Sequence, residues 1–146
     1  MKMVVDAAPL VAAVDRKDIA HRLAMAVMGE GDPELLVPDA VIAEVDHLLR
    51  RRVSADAARA FLSDVRAEAY RRIPFDAGLF GRAIDYDQRH AGLDLGIADA
   101  SVMALAEAER APILTFDFAD FRATRPLRGG FWRLVIDEGA LRRLIG

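Results

Sequence analysis

The sequence of 146 residues contains no cysteine, which removes disulfides, iron–sulfur clusters and thiolate zinc sites. Histidine is almost as scarce: His21, His47 and His90 fall on different segments and are expected to be structural. Any metal would therefore be held by oxygen. No apolar run approaches the roughly 18 residues of a membrane helix, and "MKMVVDAAPLVAAVD" meets an acid at Asp6, which suits neither a span nor a signal peptide. A soluble, intracellular protein without membrane association is expected. Lysine is nearly missing as well: Lys2 and Lys17 are the only two, arginine makes up the rest of the 20 basic residues, and the net charge is −3. That balance by itself weighs mildly against a nucleic-acid partner. With no lysine beyond Lys17, a phosphate-receiver site, which needs one after a late strand, is excluded. "DAAPL", after the first apolar run, lacks the glycines of a dinucleotide-binding turn.

What is present suits one globular domain over 1–146: 53% hydrophobic and 29% charged residues support a single core of ordinary size. Short apolar runs alternate with amphipathic segments. "MVV" is expected as a strand ending at Asp6, followed by helices over "APLVAAV" and over "DIAHRLAMAVM" with Asp18 as its cap. "LLVP" is a second strand, Asp39 caps a helix through "AVIAEVDHLLRRR", and Ser54 caps "ADAARAFLSDVRAEA". "YRRIP" is a short strand, helices cover "DAGLFGRAIDYDQRH" and "DLGIADASVMALAEAE", and "PILTFD" and "FWRLVI" complete the strands before a terminal helical turn or two. This alternation argues a three-layer α/β domain, a mostly parallel central sheet flanked by helices.

Four acids stand where that layout does not favour charge. Asp99 precedes Val102, Met103 and Ala106 by three, four and seven positions, and so lies on the apolar face of its helix. Glu44 stands likewise between Val41 and Leu48, whereas Asp46 and Arg50 can face solvent. Asp6 and Asp117 end apolar strands, where open parallel sheets place their ligand crevice. Thr115 shares the side of Asp117 by period-two alternation. Four such carboxylates gathered in one crevice would repel one another strongly, and a divalent cation resolves the conflict. Hard oxygen donors favour Mg²⁺ or Mn²⁺ and a phosphoryl-transfer site. Each acid also has a plainer explanation. Asp6 and Asp117 could be turn residues, Asp99 a first-turn residue favoured by the helix dipole, and Glu44 the partner of Arg16 or Arg22 in a buried ion pair. Asp94 and Asp120 lie close to these positions on a loop and a short turn. Arg122, Arg125 and Arg128 follow Asp117 and are placed to meet phosphate at the rim, or are ordinary loop charges.

"VVDAAPLVAAVD", "LVPDAVIAEVDHLL", "DLGIADASVMALAE" and "ILTFDFADFRATRP" resemble, in order and spacing, the four acidic blocks of the PIN domain, and specifically of the VapC toxins of bacterial toxin–antitoxin pairs. The resemblance covers nearly the whole chain. It implies a PIN-like fold and a metal-dependent endoribonuclease that hydrolyses RNA phosphodiester bonds. Asp6, Glu44, Asp99 and Asp117 are then its catalytic and metal-binding quartet for Mg²⁺ or Mn²⁺, with Asp94 or Asp120 assisting. It further implies a cytoplasmic homodimer and a VapB-like antitoxin whose arginine-bearing C-terminal segment occupies the acidic groove. One departure stands out. The family commonly carries a hydroxyl two residues after the first Asp, and here that position is Ala8. Thr115 and Ser101 are candidates to replace it. Ala8 is the one feature supporting the alternative, a catalytically weak or inactive PIN-like binding or scaffold module.

Overall fold

The computed structural model describes residues 1–145. Four strands, β1 (Lys2–Val5), β2 (Glu34–Pro38), β3 (Arg71–Ile73) and β4 (Ile113–Leu114), form one sheet in the order β3-β2-β1-β4, and every pairing is parallel. Met3, Val4 and Val5 are all essentially inaccessible although consecutive side chains point to opposite faces, so both faces of the sheet are covered. The covering comes from eight α-helices among the described residues: α1 (Ala7–Val14), α2 (His21–Gly29), α3 (Asp39–Arg52), α4 (Ala55–Arg66), α5 (Ala77–Arg89), α6 (Ile97–Glu109), α7 (Phe118–Ala123) and α8 (Glu138–Ile145). This is the expected three-layer α/β architecture.

The strand order contains one reversal. The chain steps from β1 to β2 to β3 in one direction, then crosses back to lay β4 on the other side of β1. The crevice at the carboxyl ends of β1 and β4 is the topological switch point, where such sheets bind ligands. α6 fits this crossing because its central residues, Ala100 through Ala106, are buried all round, packed against α5, α3 and the sheet. An almost wholly apolar helix is stable only in such a position.

Several local expectations are corrected. Asp18 accepts a hydrogen bond from the Ala20 amide (2.8 Å) within a turn, and α2 starts only at His21. Asp39 is the first residue of α3 rather than its cap; its carboxylate receives Arg72 from β3 through both oxygens at 2.9 Å. Ser54 caps α4 as expected, accepting the Ala57 amide at 3.0 Å. "FWRLVI" forms no strand. β4, at the edge of the sheet, is two residues long, and on its outer side one parallel bridge, Ile113 to Leu134, is what pairs there. Asp117 consequently stands three residues beyond β4, and α7 follows it directly.

The segment after α7 is fastened by an aromatic cluster. Tyr86 of α5 packs against Trp132, whose indole donates to Thr124 at 3.0 Å, and the Tyr86 hydroxyl accepts the Leu127 amide at 3.0 Å. Tyr86→Phe removes that acceptor and strands an amide in a half-buried loop, so a stability loss of about 1–2 kcal/mol is expected in urea unfolding. An unchanged midpoint would mean that water replaces the hydroxyl.

Candidate functional site: an acidic crevice

Asp6 follows β1 and begins α1. Its amide donates to the Leu114 carbonyl of β4 at 3.0 Å, continuing the sheet ladder, while Oδ1 accepts the Ala7 amide at 2.8 Å as the helix cap. Its other oxygen, Oδ2, accepts the Thr115 hydroxyl at 2.8 Å. The same Thr115 oxygen accepts the Asp117 amide at 2.9 Å. One buried hydroxyl thus ties the ends of β1 and β4 together. Thr115 supplies Asp6 with the hydroxyl that Ala8 lacks. Ser101 does not, since it donates to the Ala98 carbonyl within α6 at 2.6 Å.

The other acids arrive on separate elements. Asp99 sits in the first turn of α6, half-buried, where the helix N-terminus favours negative charge. Glu44 comes from the middle of α3, and its Oε2 is buried with no hydrogen-bond partner among the described residues. Neither Arg16 nor Arg22 reaches it; both are exposed and absent from the ion pairs among the described residues. Carboxylate oxygens of Asp99, Asp117 and Asp120 lie within 4.8 Å of one another. Asp6 and Glu44 stand outside that trio but close enough for their charges to act on it.

The consequence is electrostatic strain. Burial, then the charges of Asp6, Glu44, Asp117 and Asp120, push the Asp99 carboxyl up to about 8. Asp6 is raised by burial against the opposing effect of its Thr115 and Ala7 hydrogen bonds; Glu44 is raised by burial and then by Asp6. Asp120 is raised by burial and then by Asp117. Among the described residues, no ion pair involves any of these five acids. An orphaned glutamate oxygen and a tight carboxylate trio without a basic partner fit a hard divalent cation with oxygen donors.

Asp120 joins the crevice because α7 places it three positions after Asp117, on the same side of one helical turn. The sequence signal was the spacing in "DFAD", obscured because α7 itself is too short to show periodicity. Asp94 does not join: it is exposed, in a left-handed conformation (φ 52°) in the loop before α6, and outside the trio.

An all-acid, oxygen-donor crevice at the switch point of a parallel α/β sheet is the arrangement expected of a cation-binding site for phosphoryl transfer. Residues 3–125 match the family model described as PIN domain. Ribonuclease VapC26 of Mycobacterium tuberculosis is 30% identical over 134 residues, covering 91% of this chain and 99% of that protein. Among solved structures, Mycobacterium tuberculosis VapC20, described as a sarcin–ricin loop cleaving toxin, superposes with a TM-score of 0.71 at 23% identity, covering 81% of this chain and 93% of VapC20. VapBC2 from Rickettsia felis, solved bound to a DNA fragment from its promoter, gives 0.65 at 17% identity over 87% of this chain and 96% of that one. The chain belongs to the PIN-domain family, among the VapC ribonucleases. No described helix is long and apolar enough to cross a membrane.

Strain in the crevice has a measurable pH dependence. In the cation-free native state Asp99 keeps a proton that the unfolded chain releases just above its ordinary value of 3.8. Stability from this group therefore falls as pH rises from about 4 and is lost once pH passes about 8, since the native state binds the extra proton throughout that window. Asp6 and Glu44 act in the same direction. In chelator, the denaturation midpoint should drop between pH 5 and pH 8, and Asp99→Asn should flatten the drop. A midpoint that rises over that range would point to a hidden basic partner. Thr115→Val, which unties Asp6 from Asp117, should lower cation affinity by roughly 10–100-fold in a Mn²⁺ titration.

Proposed function

We propose that residues 1–146 act as one PIN-like domain, a Mg²⁺- or Mn²⁺-dependent endoribonuclease serving as the toxin of a toxin–antitoxin pair in the cytoplasm. The observation that carries this reading is the convergence of five carboxylates from four parts of the fold, the end of β1, α3, α6 and α7, with no ion pair to any of them among the described residues. Asp6, Glu44, Asp99 and Asp117 are the catalytic and metal-holding set, and Asp120 is added to it. A bound cation would supply Lewis-acid stabilisation of the scissile phosphate and acidify the attacking water. Asp99, Asp117 and Asp120, whose oxygens lie within 4.8 Å of one another, would hold it. Buried Asp6 and half-buried Glu44 add their charge beside the trio, and Thr115 keeps Asp6 and the Asp117 backbone in register. No side-chain nucleophile is required.

The partners follow from the same charge. A VapB-like antitoxin is expected to insert an arginine among these acids, because a guanidinium fork neutralises carboxylates bidentately where metal and phosphate would otherwise lie. A homodimer is proposed by kinship with the VapC proteins. The scaffold alternative rested on Ala8, and the Thr115 hydroxyl on Asp6 removes that support.

Asp6→Asn, Glu44→Gln, Asp99→Asn, Asp117→Asn and Asp120→Asn should each reduce Mn²⁺-dependent RNA cleavage to background, whereas Asp94→Asn should retain it. The assay compares Mn²⁺, Mg²⁺ and chelator on mixed-sequence RNA and on a sarcin–ricin stem–loop, the latter chosen because VapC20 is described as cutting it. Expression of the wild-type chain, but not of Asp6→Asn, should arrest growth. Full cleavage by two of the five variants would sink the site, and a wild-type chain that neither cuts RNA nor arrests growth would leave the scaffold alternative standing.

A further inference from the structure

Resting on the nuclease reading, we propose a second RNA contact remote from the acids, in which an unpaired base of the substrate stacks on Phe131 while flanking phosphates lie on Arg110, Arg125, Arg128 and Arg133. These residues frame or adjoin a cavity of about 290 Å³ at the far end of α6. Asp99 and Arg110 are separated by eleven residues, roughly 17 Å along a helix rising about 1.5 Å per residue. The path between the two places is the segment after Asp117. It leaves the crevice as α7 and returns to the sheet at Leu134, which makes a parallel bridge to Ile113 at the start of β4.

Phe131 is the anomaly that identifies the place. It is 76% exposed, while its neighbour Trp132 is packed on Tyr86 and Phe121. Gly129 and Gly130, at φ +96° and +85°, form the turn that delivers it. The Arg125 guanidinium lies 4.6 Å from the ring centroid, covering part of the ring and adding positive charge beside it. No ion pair among the described residues engages Arg110, Arg125, Arg128 or Arg133. Arg122 is different: Glu138 neutralises it, which takes it out of the set. Glu107 is the single acid lining the cavity, and one of its oxygens already accepts the Arg128 amide at 2.9 Å. An exposed ring amid arginines, in a chain of net charge −3, is complementary to single-stranded RNA, whose bases stack irrespective of sequence while its phosphates need cations.

The test measures binding in chelator by fluorescence anisotropy, using mixed-sequence single strands of about 16 and about 4 nucleotides, the long and short ends of common single-strand site sizes. The exposed position makes Phe131→Leu neutral for folding, and Phe131→Tyr keeps the stacking face. Phe131→Leu should weaken the long RNA on the order of ten-fold, leave the short one unchanged and be rescued by Phe131→Tyr. Arg110→Gln with Arg133→Gln should reduce the salt slope by about 0.7 for each phosphate left without its arginine. In Mn²⁺ kinetics Phe131→Leu should raise KM on the long RNA at constant kcat. Unchanged long-RNA affinity in Phe131→Leu overturns the proposal while leaving cleavage, and the nuclease reading, intact. A chain that cuts no RNA yet loses long-RNA binding on this substitution would overturn the nuclease reading alone. If the substitution instead releases a bound protein partner with RNA affinity unaltered, the surface is a protein interface and the proposal fails.

Discussion

Five carboxylates held in one crevice, with no ion pair to any of them among the described residues, constitute the constraint on which the rest of the molecule depends. Two are stabilised individually by ordinary means: Asp6 caps a helix, and Asp99 lies in the first turn of another. Together they repel, and burial removes the water that would screen them. The protein keeps them together because each is carried by an element anchored in a continuous apolar core. Val4 and Val5 precede Asp6, Val41 and Val45 flank Glu44, and Ala100, Val102 and Met103 follow Asp99. Release of any one acid from the crevice would expose that packing.

Thr115 shows how little polar structure is needed to align the site. Its hydroxyl donates to Asp6 and accepts from the Asp117 amide, so one oxygen fixes the relation between two strand ends that are far apart in the chain. The hydrogen bond from the Asp6 amide to Leu114 makes the same connection through the backbone. A side chain at position 8 could serve Asp6 but could not also hold the turn after β4. The chain thus meets the absence of a hydroxyl near β1 from β4, at a residue that couples both strands.

The segment following β4 has two roles set by its packing. Its first turn brings Asp117 and Asp120 to the crevice, and its later part is pinned by Tyr86 and Trp132 against α5. Pinning the aromatic side inward leaves the arginines and Phe131 outward. Carboxylates gather at the carboxyl ends of β1 and β4, and Arg110, Arg128 and Arg133 gather around the cavity at the far end of α6. The modest net charge of −3 conceals that division.

Much of this was accessible from the sequence because inward-facing charge is a local signal. Helical periodicity alone marks Glu44 and Asp99 as lying on apolar faces, apolar runs ending in acid mark Asp6 and Asp117, and alternating elements specify a covered parallel sheet. Tertiary structure decided what depends on contacts between distant residues. It turned Asp39 to Arg72 rather than to its own helix, reduced "FWRLVI" to a single bridge because β4 is too short to template a strand, and brought Asp120 into the crevice through a helix of six residues. It also chose Thr115 over Ser101 as the partner of Asp6, since Ser101 finds a carbonyl in its own helix. Period and composition record which face a residue occupies; which partner it meets there is determined by sheet order and by the lengths of neighbouring strands, and these appear only when the chain is folded.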